Sequence, residues 1–150
     1  MRTLIALLLL VAPSALLAQA STCRIGISGL DFGAYRAVDP SPDTAIGRLD
    51  VTCLQTSGAA LPRVTLSTGS SGHYTTRTML SGSSELRYNL FAEPSRRLVL
   101  GDGSAGTIAF PAPRTRSSGR ATWPIFGAIA PGQSVPAGVY TDILLIQVEF

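Results

Sequence analysis

Apolar and polar positions alternate with a period of two along most of the chain, the pattern of strands with one buried face. Cys23, Ile25 and Ile27 alternate with Arg24 and Gly26, and a second short piece follows at Leu30 to Phe32. After the turn-rich Asp39-Pro40-Ser41-Pro42-Asp43, the run Ile46–Leu54 places Leu49, Val51 and Cys53 on one face and Arg48, Asp50 and Thr52 on the other. Arg63–Ser67 turns Val64 and Leu66 inward, and Glu85–Ala92 does the same with Leu86, Tyr88, Leu90 and Ala92. Arg97–Leu100 runs into Gly101-Asp102-Gly103-Ser104, a hairpin-type turn. Ala121–Ile129 carries Trp123 and Ile125 around Pro124, which predicts an edge or a bulge there. The last run, Val139–Phe150, is the most apolar; Leu144, Ile146, Val148 and Phe150 share one face, opposite Ile143, Leu145, Gln147 and Glu149.

No segment carries a capped 3.6-residue pattern. Seven or eight short strands at regular spacing predict an all-β sandwich with minimal helix.

The N-terminus does not belong to that pattern. Arg2 precedes the apolar run Leu4–Leu17, and Ala18-Gln19-Ala20 has the small side chains that signal peptidase requires. The run is shorter than the roughly 20 residues that span a bilayer. Residues 1–20 are therefore expected to be a cleaved secretory signal, leaving one domain over residues 21–150 with no membrane span.

Export changes the reading of the cysteines. An oxidising compartment favours a disulfide between the two of them, Cys23 and Cys53, over a free catalytic thiol. Closing a loop of about 31 residues is worth roughly 3–4 kcal/mol in the chain-entropy picture.

Composition narrows the function. Of the 150 residues 45% are hydrophobic and only 14% charged, which supports a core and argues against disorder. The 12 basic residues are all Arg, scattered against 9 acids, without the dense stripe and stacking aromatics that nucleic-acid binding needs. Gly101–Gly106 matches G-x-G-x-x-G in letters, but Thr107-Ile108-Ala109-Phe110-Pro111 follows it instead of a helix, so a turn explains it. His73, the single histidine, lies in a Gly/Ser/Tyr/Thr run that reads as an exposed loop, and no catalytic residue is assigned. Asp31, Asp39, Asp43 and Asp50 lack the spacing of a calcium loop, so no metal or cofactor is expected.

Taken together, these segments resemble the spore coat protein U domain, the domain of archaic chaperone–usher pilus subunits. Cys23 with Leu30-Asp31-Phe32-Gly33-Ala34-Tyr35 resembles its opening. Arg77–Gly82 with Leu86-Arg87-Tyr88-Asn89-Leu90-Phe91 is similar to its central segment, and Gly127–Gln133 with Gly138-Val139-Tyr140-Thr141-Asp142 to its C-terminal signature. The resemblance implies an incomplete immunoglobulin-like sandwich that awaits a donor strand. A periplasmic chaperone lends the strand first; at the outer-membrane usher, the N-terminal extension of the neighbouring subunit replaces it. Leu144, Ile146, Val148 and Phe150 would line the groove, with the Phe150 carboxylate held by basic chaperone residues.

The implied role is a non-enzymatic subunit of a pilus or surface fibre, exported through the periplasm to the cell surface. Predicted cleavage leaves only Ser21 and Thr22 ahead of Cys23, too few for a donor segment, so a tip or capping position, or a place outside the main shaft, is expected. The alternatives are a free-standing secreted coat or binding protein with a complete sandwich, and a small periplasmic hydrolase built on His73.

Overall fold

The computed structural model describes residues 22–54, 62–111, 116–117 and 120–149; the predicted signal segment and Phe150 lie outside them. Among the described residues there are eight strands: β1 (Thr22–Ser28), β2 (Asp43–Leu54), β3 (Arg63–Leu66), β4 (Arg77–Ser81), β5 (Ser84–Phe91), β6 (Arg116–Ser117), β7 (Arg120–Ile129) and β8 (Ile146–Glu149). The only helical element among the described residues is a single 3-10 turn at Gly69–Ser71. The fold is all-β, as the alternation predicts.

The strands form two unequal layers. The larger sheet runs β1-β2-β7-β5-β4, with β6 on β7, and all its pairings are antiparallel. Among the described residues the second layer holds only β3 and β8, also antiparallel. Its far side is completed by loop backbone: Leu66 N donates to Gly101 O, and Phe110 N to Val64 O. The same stretch reaches the large sheet, where Leu100 N donates to Leu90 O, so the layers curl into one another on that side.

The inward positions read from the alternation make the core. Leu49, Val51, Leu86, Tyr88, Leu90, Trp123, Ile125 and Ile129 of the large sheet pack against Val64, Leu66, Leu100 and Phe110. Trp123 meets Phe110 edge-on at 6.0 Å, and its indole N–H donates to Pro111 O at 2.6 Å, which removes the desolvation cost of burying that donor. Pro124 is tolerated because β7 has β2 on one side only at that point: β5 pairs with Phe126–Ile129, and β6 with Arg120 and Ala121.

Two features are not legible in the alternation. Arg77, at the head of β4, is completely buried. Its guanidinium donates to Ser67 O, Leu100 O and Asn89 Oδ1 and lies 5.4 Å from the Tyr74 ring centre, while burial lowers its pKa from the ordinary arginine value. The C-terminal run is also not one strand. Thr141 bridges to Leu80 on the large sheet, and the chain then crosses to pair with β3 only from Ile146. Local side chains hold the crossing: Asp142 Oδ1 accepts from Ile143 N, and Ser67 Oγ accepts from Leu145 N.

Candidate functional site: an open groove between the sheets

The described strands of the second layer do not cover the whole inner face of the first. Register places Ile25 opposite Val51 and Ile27 opposite Leu49, so all four share the inner face. Leu49 and Val51 are 0% and 1% exposed, whereas Ile25 and Ile27 are 48% and 57% exposed. The cover therefore ends between β2 and β1.

β8 ends the other layer with an unpaired edge. Ser67 N donates to Leu145 O at 2.9 Å, which marks that pair as hydrogen-bonded. By the alternation of antiparallel ladders, Ile146 and Val148 turn their N–H and C=O groups away from β3. No described strand lies on that side. Between this edge and β1 runs a cleft of about 410 Å³, whose walls include Ile27, Leu66, Leu90, Ile125, Leu144 and Ile146. It adjoins a second cleft of about 690 Å³ toward Tyr35, Val135 and Tyr140.

Of the four predicted groove residues, Leu144 and Ile146 line the smaller cleft. Val148 stands opposite Val64 and packs on the core, half-buried. Phe150 lies outside the described residues. Cys23 on β1 and Cys53 on β2 are directly opposed in register. His73 is exposed, with its backbone held by Ser71 Oγ.

The sequence reading missed the polar residues that fix the groove walls. Asp142, at the crossing, accepts from the Tyr88 hydroxyl at 2.6 Å and from Ser70 N and Oγ at 2.8 and 2.6 Å. Burial and that carboxylate push the Tyr88 phenol well above the usual tyrosine range. Gln133, buried, continues the β5 ladder beyond the end of β7: its Oε1 accepts from Arg87 N and its Nε2 donates to Arg87 O, at 2.9 and 2.8 Å. Tyr35 Oη accepts from Gln133 N and donates to Ala130 O. The visible signal was a polar residue inside an apolar or turn-rich run, which alone does not say what it bonds. Among the described residues no three metal-binding side chains cluster, and no helix is long and apolar enough to cross a membrane.

What such an arrangement offers chemically is a row of backbone donors and acceptors beside a trough of apolar side chains. An extended peptide satisfies both at once, because its own backbone completes the ladder while alternate side chains enter the trough.

No curated protein matches the chain significantly. Among solved structures, one chain of the CsuC–CsuE chaperone–tip adhesion subunit pre-assembly complex, from the archaic chaperone–usher Csu pili of Acinetobacter baumannii, superposes with a TM-score of 0.65 at 21% identity. The match covers 87% of this chain and only 40% of that one, and it establishes a shared fold. The Spore Coat Protein U domain model matches residues 9–147, and with nearly the whole chain inside that match, the chain belongs to the Spore Coat Protein U domain family.

Proposed function

We propose that the chain is a structural subunit of a chaperone–usher surface fibre and accepts a β-strand from its partners in the groove between β1 and β8. The observation that carries this reading is the unpaired edge of β8 beside the uncovered Ile25 and Ile27. A single inserted strand satisfies the backbone groups of Ile146 and Val148 and shields the apolar trough. Four donated apolar side chains at about 1.5–3 kcal/mol each amount to roughly 6–12 kcal/mol of gross burial, comparable to the stability of a whole domain.

In this reading the first donor is a periplasmic chaperone, and the outer-membrane usher exchanges it for a neighbouring subunit. The Phe150 carboxylate serves as an anchor on the chaperone. Export by the 1–20 signal leads to an oxidising compartment, where Cys23 and Cys53 pair and hold β1 on β2. The superposition on a chaperone–subunit complex supports the partner class. A terminal position in the fibre follows if the mature chain starts at Ser21; N-terminal sequencing that finds a start retaining Leu8–Leu17 would refute that position.

The test is periplasmic expression with and without the chaperone from the same genomic neighbourhood, followed by co-purification. The expected result is soluble protein only as a one-to-one complex, lost in Leu144→Asp and Ile146→Asp. A monomer that melts cooperatively and has no chaperone affinity would mean a free-standing protein instead.

A further inference from the structure

The two clefts are separated by a segment of the chain itself. After β1 ends at Ser28, the chain leaves the ladder, and its half-buried Leu30, Phe32 and Tyr35 pack against the core while the residues between them stay exposed. Leu30 and Phe32, two residues apart, point onto the inner face of the large sheet, and both line both clefts. Their seats are two glycines. A Cβ on Gly47 would lie 2.8 Å from Leu30 Cδ1, and one on Gly127 would lie 2.6 Å from both Leu30 Cδ2 and Phe32 Cζ. Neither glycine has a positive φ, so the missing side chain, not backbone freedom, is what the site uses. Phe32 also meets Tyr88 edge-on at 6.0 Å, and the Tyr35 hydroxyl ties the end of the segment to Ala130 and Gln133.

This segment imitates a donor strand in one respect. Leu30 and Phe32 have the i, i+2 spacing with which an extended chain presents side chains to one face. It differs in making no ladder bonds with either layer; side chains and one hydroxyl hold it. We propose that Leu30–Phe32 is a built-in stop for the inserted strand. It takes two side-chain positions of the groove in cis and confines the partner strand to the stretch walled by Ile25, Ile27, Leu144 and Ile146. The proposal rests on the strand-accepting reading above and adds a length rule: the partner is a short extended peptide whose leading end abuts Leu30.

The experiment uses the full mature chain, refolded from denaturant with peptides of alternating valine and serine of increasing length, capped by lysine for solubility. Midpoints of urea unfolding are read against peptide length. In the unsubstituted protein the midpoint rises and then reaches a plateau. In the double variant Leu30→Ala, Phe32→Ala the plateau is expected about four residues later, because two alternate positions of an extended chain are freed. An unshifted plateau overturns the stop. No rise at any length overturns the strand-accepting reading beneath it.

A second measurement needs no variant and holds even if the double substitution does not fold. Peptides carrying a benzophenone at either end in turn are cross-linked to the unsubstituted chain and mapped by mass spectrometry. Attachment of one end beside Leu30 supports the stop; attachment of either end at Val135 or Ala137, beyond the segment, overturns it.

Discussion

Replacing Ile27 with threonine separates a core residue from a docking residue on one face of one sheet. Ile27 and Leu49 stand side by side, yet Leu49 is 0% exposed and Ile27 is 57% exposed. Fully burying an isoleucine side chain is worth about 1.5–3 kcal/mol, so more than half of that, roughly 1–1.5 kcal/mol, is realised only when a strand covers Ile27. Threonine keeps the β-branched shape that strands favour and discards most of the apolar gain. Ile27→Thr is therefore expected to weaken partner binding about five- to tenfold, and the double change with Ile25→Thr about ten- to a hundredfold. The stability of the uncomplexed subunit should move by less than about 1 kcal/mol. Leu49→Ala should show the reverse balance, losing about 2–5 kcal/mol of subunit stability through its cavity. The assay is urea unfolding of the uncomplexed, refolded subunit beside titration of the same preparation with its chaperone. If Ile27→Thr destabilises the uncomplexed subunit as much as Leu49→Ala does, β1 is covered in solution and the groove is not open there.

Three other outcomes follow from named contacts. Arg77→Met removes the donors to Ser67 O, Leu100 O and Asn89, leaving buried acceptors unsatisfied; about 3–5 kcal/mol should be lost in denaturant unfolding, with Arg77→Lys intermediate. The Tyr88 and Tyr74 phenols are raised above the ordinary value of 10.0, in both cases chiefly by burial, so the folded protein favours their neutral forms. Their contribution to stability is complete below that value and is lost as pH rises past it; ultraviolet titration should show these two tyrosines ionising late, together with unfolding. The Asp50 carboxyl is lowered from 3.8 chiefly by the Thr122 hydroxyl; burial opposes this, and Arg120 and Arg48 each add a smaller lowering effect. It stabilises the fold above that value and loses the effect as pH falls below it, so Asp50→Asn should flatten the acid limb of a stability–pH curve.

Much of the architecture is visible in the chain because alternation reports which face a strand buries. Leu49, Val51, Leu86, Tyr88, Leu90, Trp123 and Ile125 are all inward in the sequence pattern and all buried in the fold. Alternation does not report whether anything covers that face. Ile25 and Ile27 have the same pattern as Leu49 and Val51, and only the width of the second layer distinguishes them. Long-range partners are equally invisible. Arg77 looks like a solvent-facing charge, since the carbonyls that bury it, Ser67 and Leu100, lie 10 and 23 residues away. The terminal run reads as one strand through residue 150, because a chain that changes sheets at Asp142 keeps its apolar positions while exchanging its partners.

The same limit applies to Leu144 and Ile146 beside the cleft. A strand that borders a gap must be apolar on its inner face, as any core strand must, so Leu144 and Ile146 stand out without revealing the gap. What distinguishes them is the backbone: Ile146 and Val148 direct their peptide groups at an edge no described strand occupies. Isolated exposed isoleucines are ordinary, but an open hydrogen-bonding edge running beside an uncovered apolar trough is a template for another strand, and soluble proteins do not leave one bare without a use for it. A complete sandwich would have placed one more strand of its own between β8 and β1. Here the described chain instead sends Leu30 and Phe32 to fill one end of the space, and no described strand occupies the other end, from Ile27 to Ile146.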